Sequence, residues 1–324
     1  MNYNPETYVF DPSLVSTLTV GSVKAARENP DYLLTGIPQL DDHYVMLRPR
    51  RVNGILAYTS HGKTSLMNIM AREAVKQIEN NENEIVVYVT WEDSVEDLTL
   101  SHLANTSRIS IASLFHGKLN LTEWEAMMKA ATQRAQMPLW AIGHSEQKES
   151  RRPRLTMTDI WAAMEYIADK RKKKVRAIYL DYLQRINRDD TKGETRNQFV
   201  TIMDKVKDLA LGFDTCVMIG SQVGRDVKER KWKQPQDNDA QETSNFEQTC
   251  DGMISLWIPK KTEKIGDCLI EKKGVDGQAV FVTEHAMLIQ TLKQKKARAP
   301  VLRAVDFYPE TNEIGTYTPP KNMI

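Results

Sequence analysis

The chain has 324 residues, is 41% hydrophobic, and carries 44 basic against 43 acidic side chains. This size allows one large or two modest domains, and the near-neutral charge excludes a general attraction to nucleic acid or lipid, so such contacts must come from local patches. Three widely spaced cysteines, without a Cys-x-x-Cys pair, argue against a structural zinc or a disulfide framework. The sequence shows neither a secretion signal nor an apolar run near the ~18 residues of a membrane span, which predicts a cytoplasmic protein without membrane contact.

The predicted organisation begins with a polar N-terminal arm over residues 1–33. Within it, "DPSLVSTLTVGSVKAARE" predicts a short helix with Asp11 or Ser13 as its cap. The main domain is expected over residues 34–305. A C-terminal tail is expected over 306–324, and its "PPKNMI" end should be loose.

A regular alternation of strands and helices then predicts the fold. Five apolar strands are expected at 53–58, 84–90, 138–142, 176–183 and 215–221. Helical patterns lie at about 63–79, 94–106, 121–135, 156–172 and 195–212. Strands that are buried on both faces and separated by helices indicate an α/β protein with a mostly parallel sheet. After residue 250, the segments "DGMISLWI", "DCLIEKK" and "QAVFVT" predict antiparallel strands at the sheet edge.

Two long polar segments follow the fourth and fifth predicted strands, at 187–197 and 224–245. In an open α/β sheet, ligands bind at the carboxyl ends of the strands. The functional residues are therefore expected at this edge of the sheet.

The stretch "AYTSHGKTSL" (57–66) joins the first predicted strand of the sheet to a helix. A strand, a tight loop, Gly-Lys-Thr and a helix make a phosphate cradle, in which backbone N–H groups and the helix dipole face the phosphates. Lys63 would neutralise the β- and γ-phosphates, and the Thr64 hydroxyl would ligate Mg²⁺. Ala57 stands where glycine is expected, and a chance Gly-Lys-Thr is the alternative interpretation. The predicted nucleotide-binding residues are Ser60, His61, Gly62, Lys63, Thr64 and Ser65.

Three further strands end in residues that suit the same chemistry. In "AIYLDYLQ" the apolar strand ends in Asp181, which is typical of an acidic group that holds Mg²⁺ through water, although an aspartate that caps a loop is the alternative. "VVYVTWED" ends in Glu92-Asp93, and a carboxylate there, with Glu92 the favoured one, can polarise the attacking water. "VMIGSQ" ends in Gln222, an amide that can sense the γ-phosphate. Together these residues predict one catalytic site.

With these motifs the chain resembles the RecA-type motor domain of DnaB-like replicative helicases, from about Thr35 to Thr283. The similar stretches are "TGIPQLDDHYVMLRPRRVNGILAYTSHGKTSL", "YVTWEDS", "ISIASLFHGKLNLTEWEAM", "IYLDYLQRI", "SQVGRDVKERKWKQP" and "DNDAQETSNFEQTCDGMISLW". In that family alanine is also usual at the position of Ala57. The resemblance implies a RecA-like P-loop NTPase that hydrolyses ATP with Mg²⁺ between the subunits of a ring, with a hexamer as the favoured state.

The resemblance also implies a site that is shared between subunits and a DNA-binding loop. Lys272 and Lys273 stand where a basic residue completes the neighbour's ATP site, and no arginine is present there. The loop after Gln222 resembles the family's DNA-binding loop, but Gln241 replaces its arginine and Ser244 its following glycine. Glu242 keeps the family spacing. Only about 33 residues precede the motor, where the helicases carry a sizeable domain.

Basic and aromatic residues are interleaved in the same loop. Phosphate contacts from basic groups and stacking on an aromatic ring suit single-stranded nucleic acid, whereas an ordinary charged loop is the alternative. The predicted DNA-binding residues are Arg225, Lys228, Arg230, Lys231, Trp232, Lys233, Gln241, Glu242 and Ser244.

The favoured function is therefore a ring-forming ATPase that moves along single-stranded DNA and unwinds the duplex. A primase, a loader or another replication protein is the expected partner besides the chain itself. Four departures from the family pattern favour an alternative function: the short N-terminal arm, Gln241, Ser244 and the missing arginine at Lys272 and Lys273. This alternative is a non-helicase ATPase on the same fold whose nucleotide state gates a partner complex. A small-molecule kinase is poorly supported, because no acceptor-binding lid is apparent.

Overall fold

The computed structural model describes residues 10–28, 31–42, 47–148, 154–189, 191, 193–224, 230, 232–240, 244–275, 278–295 and 299–320. The chain divides into two compact units, residues 1–32 and residues 33–324. The first contains helix α1 (Pro12–Glu28), and the Asp11 carboxylate accepts hydrogen bonds from the amides of Ser13 (2.8 Å) and Leu14 (2.9 Å), so Asp11 is the cap. Within the described ranges, no helix combines the length and the apolar character that crossing a membrane requires.

The second unit is built on a nine-stranded sheet in the order β11-β10-β9-β6-β1-β5-β4-β2-β3. The neighbours from β6 to β3 run parallel, whereas β9, β10 and β11 pair antiparallel at one edge. The strands are β1 (Val52–Ala57), β2 (Glu84–Thr90), β3 (Leu139–Ile142), β4 (Lys174–Asp181), β5 (Cys216–Gln222), β6 (Gly252–Trp257), β7 (Cys268–Val275), β8 (Gln278–Phe281), β9 (Ala286–Gln294), β10 (Val301–Tyr308) and β11 (Glu313–Thr316). This confirms the predicted fold class and the first five strands.

Helices cover both faces of the parallel strands, and each face has its own apolar core. One core packs the helix Lys63–Ile78 against residues such as Tyr88 and Tyr179, and the other packs the helices Met157–Glu165 and Thr195–Gly212 against residues such as Val87 and Ile178. The helices of the second unit are α2 (Pro38–Asp41), α3 (Lys63–Ile78), α4 (Val95–Ser107), α5 (Ile111–Phe115), α6 (Leu121–Gln136), α7 (Met157–Glu165), α8 (Thr195–Gly212) and α9 (Ser244–Thr249).

The predicted assignment of strands to the antiparallel edge is wrong in two places. β6 pairs parallel with β1, because the long connection after β5 contains α9 and allows a crossover past β1. β7 and β8 form a separate two-stranded sheet. The antiparallel place beside β6 is taken by β9, whose first four residues are buried and therefore fit the interior of the sheet.

The predicted boundary at residue 305 also has to move. β10 crosses it and β11 follows, so the sheet continues through Thr316. The physical reason is the burial of apolar side chains in this segment, since Val305, Phe307 and Tyr317 are at most 7% exposed. The Tyr317 hydroxyl also accepts a hydrogen bond of 2.8 Å from the Phe281 amide. The segment 306–317 is therefore part of the compact unit.

Candidate functional site

The loop between β1 and α3 has the backbone of an anion cradle. Gly62 caps α3 with a φ of 83°, in the left-handed region where side chains are strained, and a Cβ there would lie 2.8 Å from Cε of Met287. The first amides of a helix lack partners within the helix and carry the positive end of its dipole. His61 is buried, and its Nδ1 accepts a hydrogen bond of 3.0 Å from the Ile258 amide, which ties the loop to the end of β6.

Lys63 begins α3, and its buried side chain contacts the carboxylate of Asp181 at the end of β4. The ammonium also lies 4.0 Å from the centre of the Tyr182 ring, where the electron-rich face attracts a cation. A Cβ at Gly220 would come within 2.8 Å of Cδ of Lys63, so the glycine in β5 leaves room for this side chain. The predicted lysine and aspartate are therefore neighbours in the structure.

The other oxygen of Asp181 has a separate partner. The hydroxyl of Tyr88, in β2, donates a hydrogen bond of 3.0 Å to Oδ2 of Asp181. Burial, and then the charge of Asp181, raises the pKa of Tyr88 well above its usual value, so the hydroxyl stays protonated and remains a donor. Sequence reasoning did not single out Tyr88, because no local pattern marks it.

A cleft of about 290 Å³ opens beside the phosphate loop. Seven predicted residues line it: Ser60, Gly62, Lys63, Thr64, Ser65, Glu92 and Gln222. Six further residues of its wall were outside the predicted set: Tyr58, Thr59, Asp93, Tyr182, Phe307 and Pro309. Asp93 and Tyr182 directly follow predicted site residues and could have been found from that position, whereas Phe307 and Pro309 fall in the segment predicted as a tail.

A polar network connects the strand ends across this cleft. The Gln222 amide donates to the Tyr182 hydroxyl at 2.8 Å, and Nε of Arg185 donates to the same hydroxyl at 3.1 Å. A second guanidinium nitrogen of Arg185 lies 3.6 Å from Oε1 of Glu92. Burial raises the pKa of Tyr182, which therefore remains a neutral hydroxyl between the two donors. Glu92 and Gln222, predicted from separate strands, are thus linked by Tyr182 and Arg185.

The described members of the predicted DNA-binding set have partners within the chain. Trp232 packs edge-on against buried Trp257, with ring centres 5.3 Å apart and an interplanar angle of 79°. Lys233 pairs with Glu263 at 2.5 Å, and Arg230 pairs with Asp239. The predicted residues Arg225, Lys228, Lys231, Gln241 and Glu242 lie outside the described residues, as do the side chains of Ser244, Lys272 and Lys273.

Two oxygen groups suit Mg²⁺: Thr64 lines the cleft, and the buried Asp181 does not line it but contacts Lys63, which does. Among the described residues no group of three histidine, cysteine or acidic side chains could hold a metal ion by itself. The Thr64 hydroxyl and the Asp181 carboxylate provide hard oxygen donors, and Mg²⁺ characteristically binds through one or two such groups together with water and substrate phosphates. These residues therefore fit Mg²⁺ that arrives with a nucleotide.

Comparison with known families matches residues 33–294 to the DnaB-like helicase C terminal domain. The replicative DNA helicase DnaB of Mycoplasma genitalium is 26% identical over 226 residues, which are 69% of this chain and 46% of that protein. The corresponding protein of Geobacillus stearothermophilus is 28% identical over 235 residues, or 71% of this chain and 48% of that protein. The chain thus spans about half the length of these relatives.

Two solved structures share the fold. One is an isolated ATPase domain, which superposes with a TM-score of 0.76 at 17% identity and covers 95% of this chain and 100% of that one. A DnaB-like replicative helicase, solved in a study of its interactions with primase, gives a TM-score of 0.77 at 18% identity and covers 97% of this chain and 69% of that one. At these identities the likeness concerns the fold, and it confirms the predicted RecA-like class.

Proposed function

The chain belongs to the family of DnaB-like helicase C-terminal domains, and from this premise we propose that it is an ATP-driven motor that moves along single-stranded DNA. The observation that carries the proposal is the convergence of Lys63, Asp181, Glu92 and Gln222 from separate elements around the phosphate loop. A structural ion pair alone would not require a half-exposed glutamate and a glutamine beside the same cleft.

The residues have distinct tasks in this proposal. Lys63 leaves Asp181 and neutralises the β- and γ-phosphates of ATP, while Glu92 orients and polarises the attacking water. Thr64 and, through water, Asp181 would hold Mg²⁺, which would supply further neutralisation of phosphate charge. Gln222 senses the γ-phosphate, and its hydrogen bond to the Tyr182 hydroxyl transmits the change to that residue.

The apolar part of the cleft suits the rest of the nucleotide. Phe307 and Pro309 line the same cleft as Lys63 and Thr64. An aromatic ring and a proline offer flat apolar surface for a base or a ribose. We therefore assign these two residues to the non-phosphate part of the nucleotide.

We propose a ring, with six subunits as the favoured number, in which Lys272 and Lys273 reach the neighbour's nucleotide. Mixing subunits that carry Lys272→Ala and Lys273→Ala with Glu92→Gln subunits tests this. A site between two subunits should be active where one subunit supplies Glu92 and its neighbour supplies both lysines. Some hydrolysis should return on mixing. No recovery at any ratio, with assembly verified by sizing, would argue against a shared site.

By analogy with the relative studied with primase, a primase, a loader or another replication protein is the proposed partner.

A second candidate function has a specific observation in its favour. The predicted strand-binding side chains already have partners within the chain, as expected of a structural loop. These contacts are Trp232 with Trp257, Arg230 with Asp239, and Lys233 with Glu263. A non-helicase ATPase whose nucleotide state gates a partner complex would need no strand-binding groups in this loop.

The rate of ATP hydrolysis against oligonucleotide concentration separates the two functions. A strand-bound motor should be stimulated by single-stranded DNA, and the stimulation should weaken steeply with salt if Arg225, Lys228 and Lys231 contact phosphates. Lys63→Ala should abolish hydrolysis, whereas Lys76→Ala, which changes an exposed lysine on the same helix, should not. A flat response to both DNA and RNA from an active, ring-forming protein would favour the gating function.

A further inference from the structure

The carboxylate of Asp181 is held from two sides by groups of different character. Lys63 contacts Oδ1, and the Tyr88 hydroxyl donates to Oδ2 at 3.0 Å. Tyr88 is 1% exposed and Asp181 is 4% exposed, so water does not compete freely for this hydrogen bond. A hydrogen bond to a charged group is shorter and stronger than one between neutral groups, and burial strengthens it further.

The register of the sheet explains why Tyr88 reaches Asp181. Residue 88 of β2 lies opposite Tyr179 of β4, and Thr90 lies opposite Asp181. Side chains two positions apart on a strand share a face, so Tyr88 lies on the same face as Asp181. The rings of Tyr88 and Tyr179 stack with centres 6.1 Å apart and an interplanar angle of 10°, which fixes the Tyr88 ring beneath the site.

The two partners of Asp181 behave differently when the site is used. In the proposed function, which this inference presupposes, Lys63 must give up Oδ1 to reach the phosphates. The Tyr88 hydroxyl has no such second task, because it lies in the core between the sheet and α3. One oxygen of Asp181 thus changes its partner while the other keeps it.

We propose that Tyr88 is a positioning residue for Mg²⁺ binding, which fixes the carboxylate of Asp181 through Oδ2 so that Oδ1 is presented to the cleft when Lys63 departs. Without this hydrogen bond the carboxylate rotates about its χ angles and remains preferentially with Lys63. Tyr88 acts through Asp181 and does not touch the nucleotide.

Tyr88→Phe tests the proposal, because it removes one oxygen atom and keeps the ring. Tyr179→Phe is the matched control: Tyr179 is equally buried and stacked on Tyr88, and its hydroxyl has no hydrogen-bond partner among the described residues. The measured quantity is the affinity for a fluorescent ATP analogue, once with Mg²⁺ and once with EDTA. The ratio of the two affinities is the gain due to Mg²⁺. Removing a group that orients a metal-binding carboxylate should reduce this gain about tenfold and leave the affinity in EDTA within about twofold.

Tyr179→Phe should retain the full gain, and thermal unfolding should show both variants folded. Asp181→Asn should lose the gain as well, and the double variant Tyr88→Phe/Asp181→Asn should lose no more than Asp181→Asn alone, since the two residues act as a unit. A full Mg²⁺ gain in Tyr88→Phe, or an equal loss in Tyr179→Phe, would overturn the inference alone. A wild-type protein that binds no nucleotide would instead overturn the proposed function together with it.

Discussion

Glu92 and Asp93 are neighbours in sequence but lie in different surroundings. The Glu92 side chain is 47% exposed beside the guanidinium of Arg185. Burial, followed by the charge of Asp181 and other nearby carboxylates, raises the pKa of Asp93. A carboxylate with access to water is the better candidate to polarise the attacking water, which favours Glu92 over Asp93.

Glu92→Gln should therefore bind ATP normally and hydrolyse it about 100-fold more slowly or worse, because an amide cannot accept a proton from water. Asp93→Asn is the matched control and should keep most of the rate. Steady-state hydrolysis and binding of a fluorescent nucleotide measure the two effects. A larger loss of rate in Asp93→Asn than in Glu92→Gln would transfer the role to Asp93.

Site residues that a local sequence motif marks could be predicted. Contacts that depend on the pairing of strands distant in sequence could not. Lys63 and Thr64 follow from a strand, a glycine loop and a helix start, and Gln222 from the end of an apolar strand. The contact of Tyr88 with Asp181 instead depends on the register between β2 and β4. No spacing within either strand reveals that register.

At the scale of elements, the turn after β4 is connected to the site by the side chains of Gln184, which accepts a hydrogen bond of 3.2 Å from the Gln222 amide, and of Arg185. Arg185 ends the short helix Leu183–Arg185, donates to the Tyr182 hydroxyl and pairs with Glu92. The turn opens the connection between β4 and α8, in which sequence analysis expected a ligand-binding segment. A guanidinium that holds Glu92 to this turn limits the freedom of the carboxylate to meet water.

Arg185→Ala should accordingly raise hydrolysis in the absence of DNA and reduce the ratio of stimulated to basal rate. Folding stability should change by less than about 1 kcal/mol, because the pair is half exposed. Arg188→Ala, in the same connection with its guanidinium over Phe199, is the matched control and should leave the basal rate unchanged. ATPase rates with and without oligonucleotide decide the matter, and an unchanged ratio in Arg185→Ala would contradict the link.

The strands differ in how well their pairing could be foreseen. β1 to β5 have continuous apolar runs between helices, so both their positions and their parallel direction followed from the pattern. β6 has the same kind of run, but its direction depends on a crossover past β1 that the local sequence does not mark. The apolar segments of β9, β10 and β11 complete the edge of the sheet.

At the scale of the whole molecule, the end of the sheet opposite the cleft is held by a buried carboxylate. Asp251 precedes β6, accepts hydrogen bonds from the Val52 amide (3.0 Å), Lys207 (2.8 Å) and Lys295 (2.6 Å), and pairs with Arg51. Burial alone would raise the pKa of Asp251, but the hydrogen bonds from Lys207, Lys295 and the Val52 amide hold it well below its usual range. This one side chain connects the beginnings of β1 and β6 with α8 and the end of β9.

The sign of the pH effect follows from this depressed pKa. The folded state binds the proton more weakly than the unfolded state, so Asp251 stabilises the protein above the ordinary aspartate pKa of 3.8, and this contribution is lost as the pH falls below it. Asp251→Asn should lower the free energy of unfolding by about 2 kcal/mol at pH 7. Urea titrations at pH 7 and below pH 4 measure the difference, which should shrink in acid. A difference that stays constant with pH would show that the charge is not responsible.

The place of β1 in the sheet has a consequence for synthesis on the ribosome. β1 is the first strand of the sheet to be translated, yet its partners are β5 and β6, with Val52 opposite Val217 and Asn53 opposite Gly252. At translation speeds of roughly 5–20 residues per second, the nascent chain must carry this apolar strand unpaired for on the order of ten seconds. During that interval the strand and its phosphate loop are open to chaperones and to aggregation with neighbouring polysomal chains.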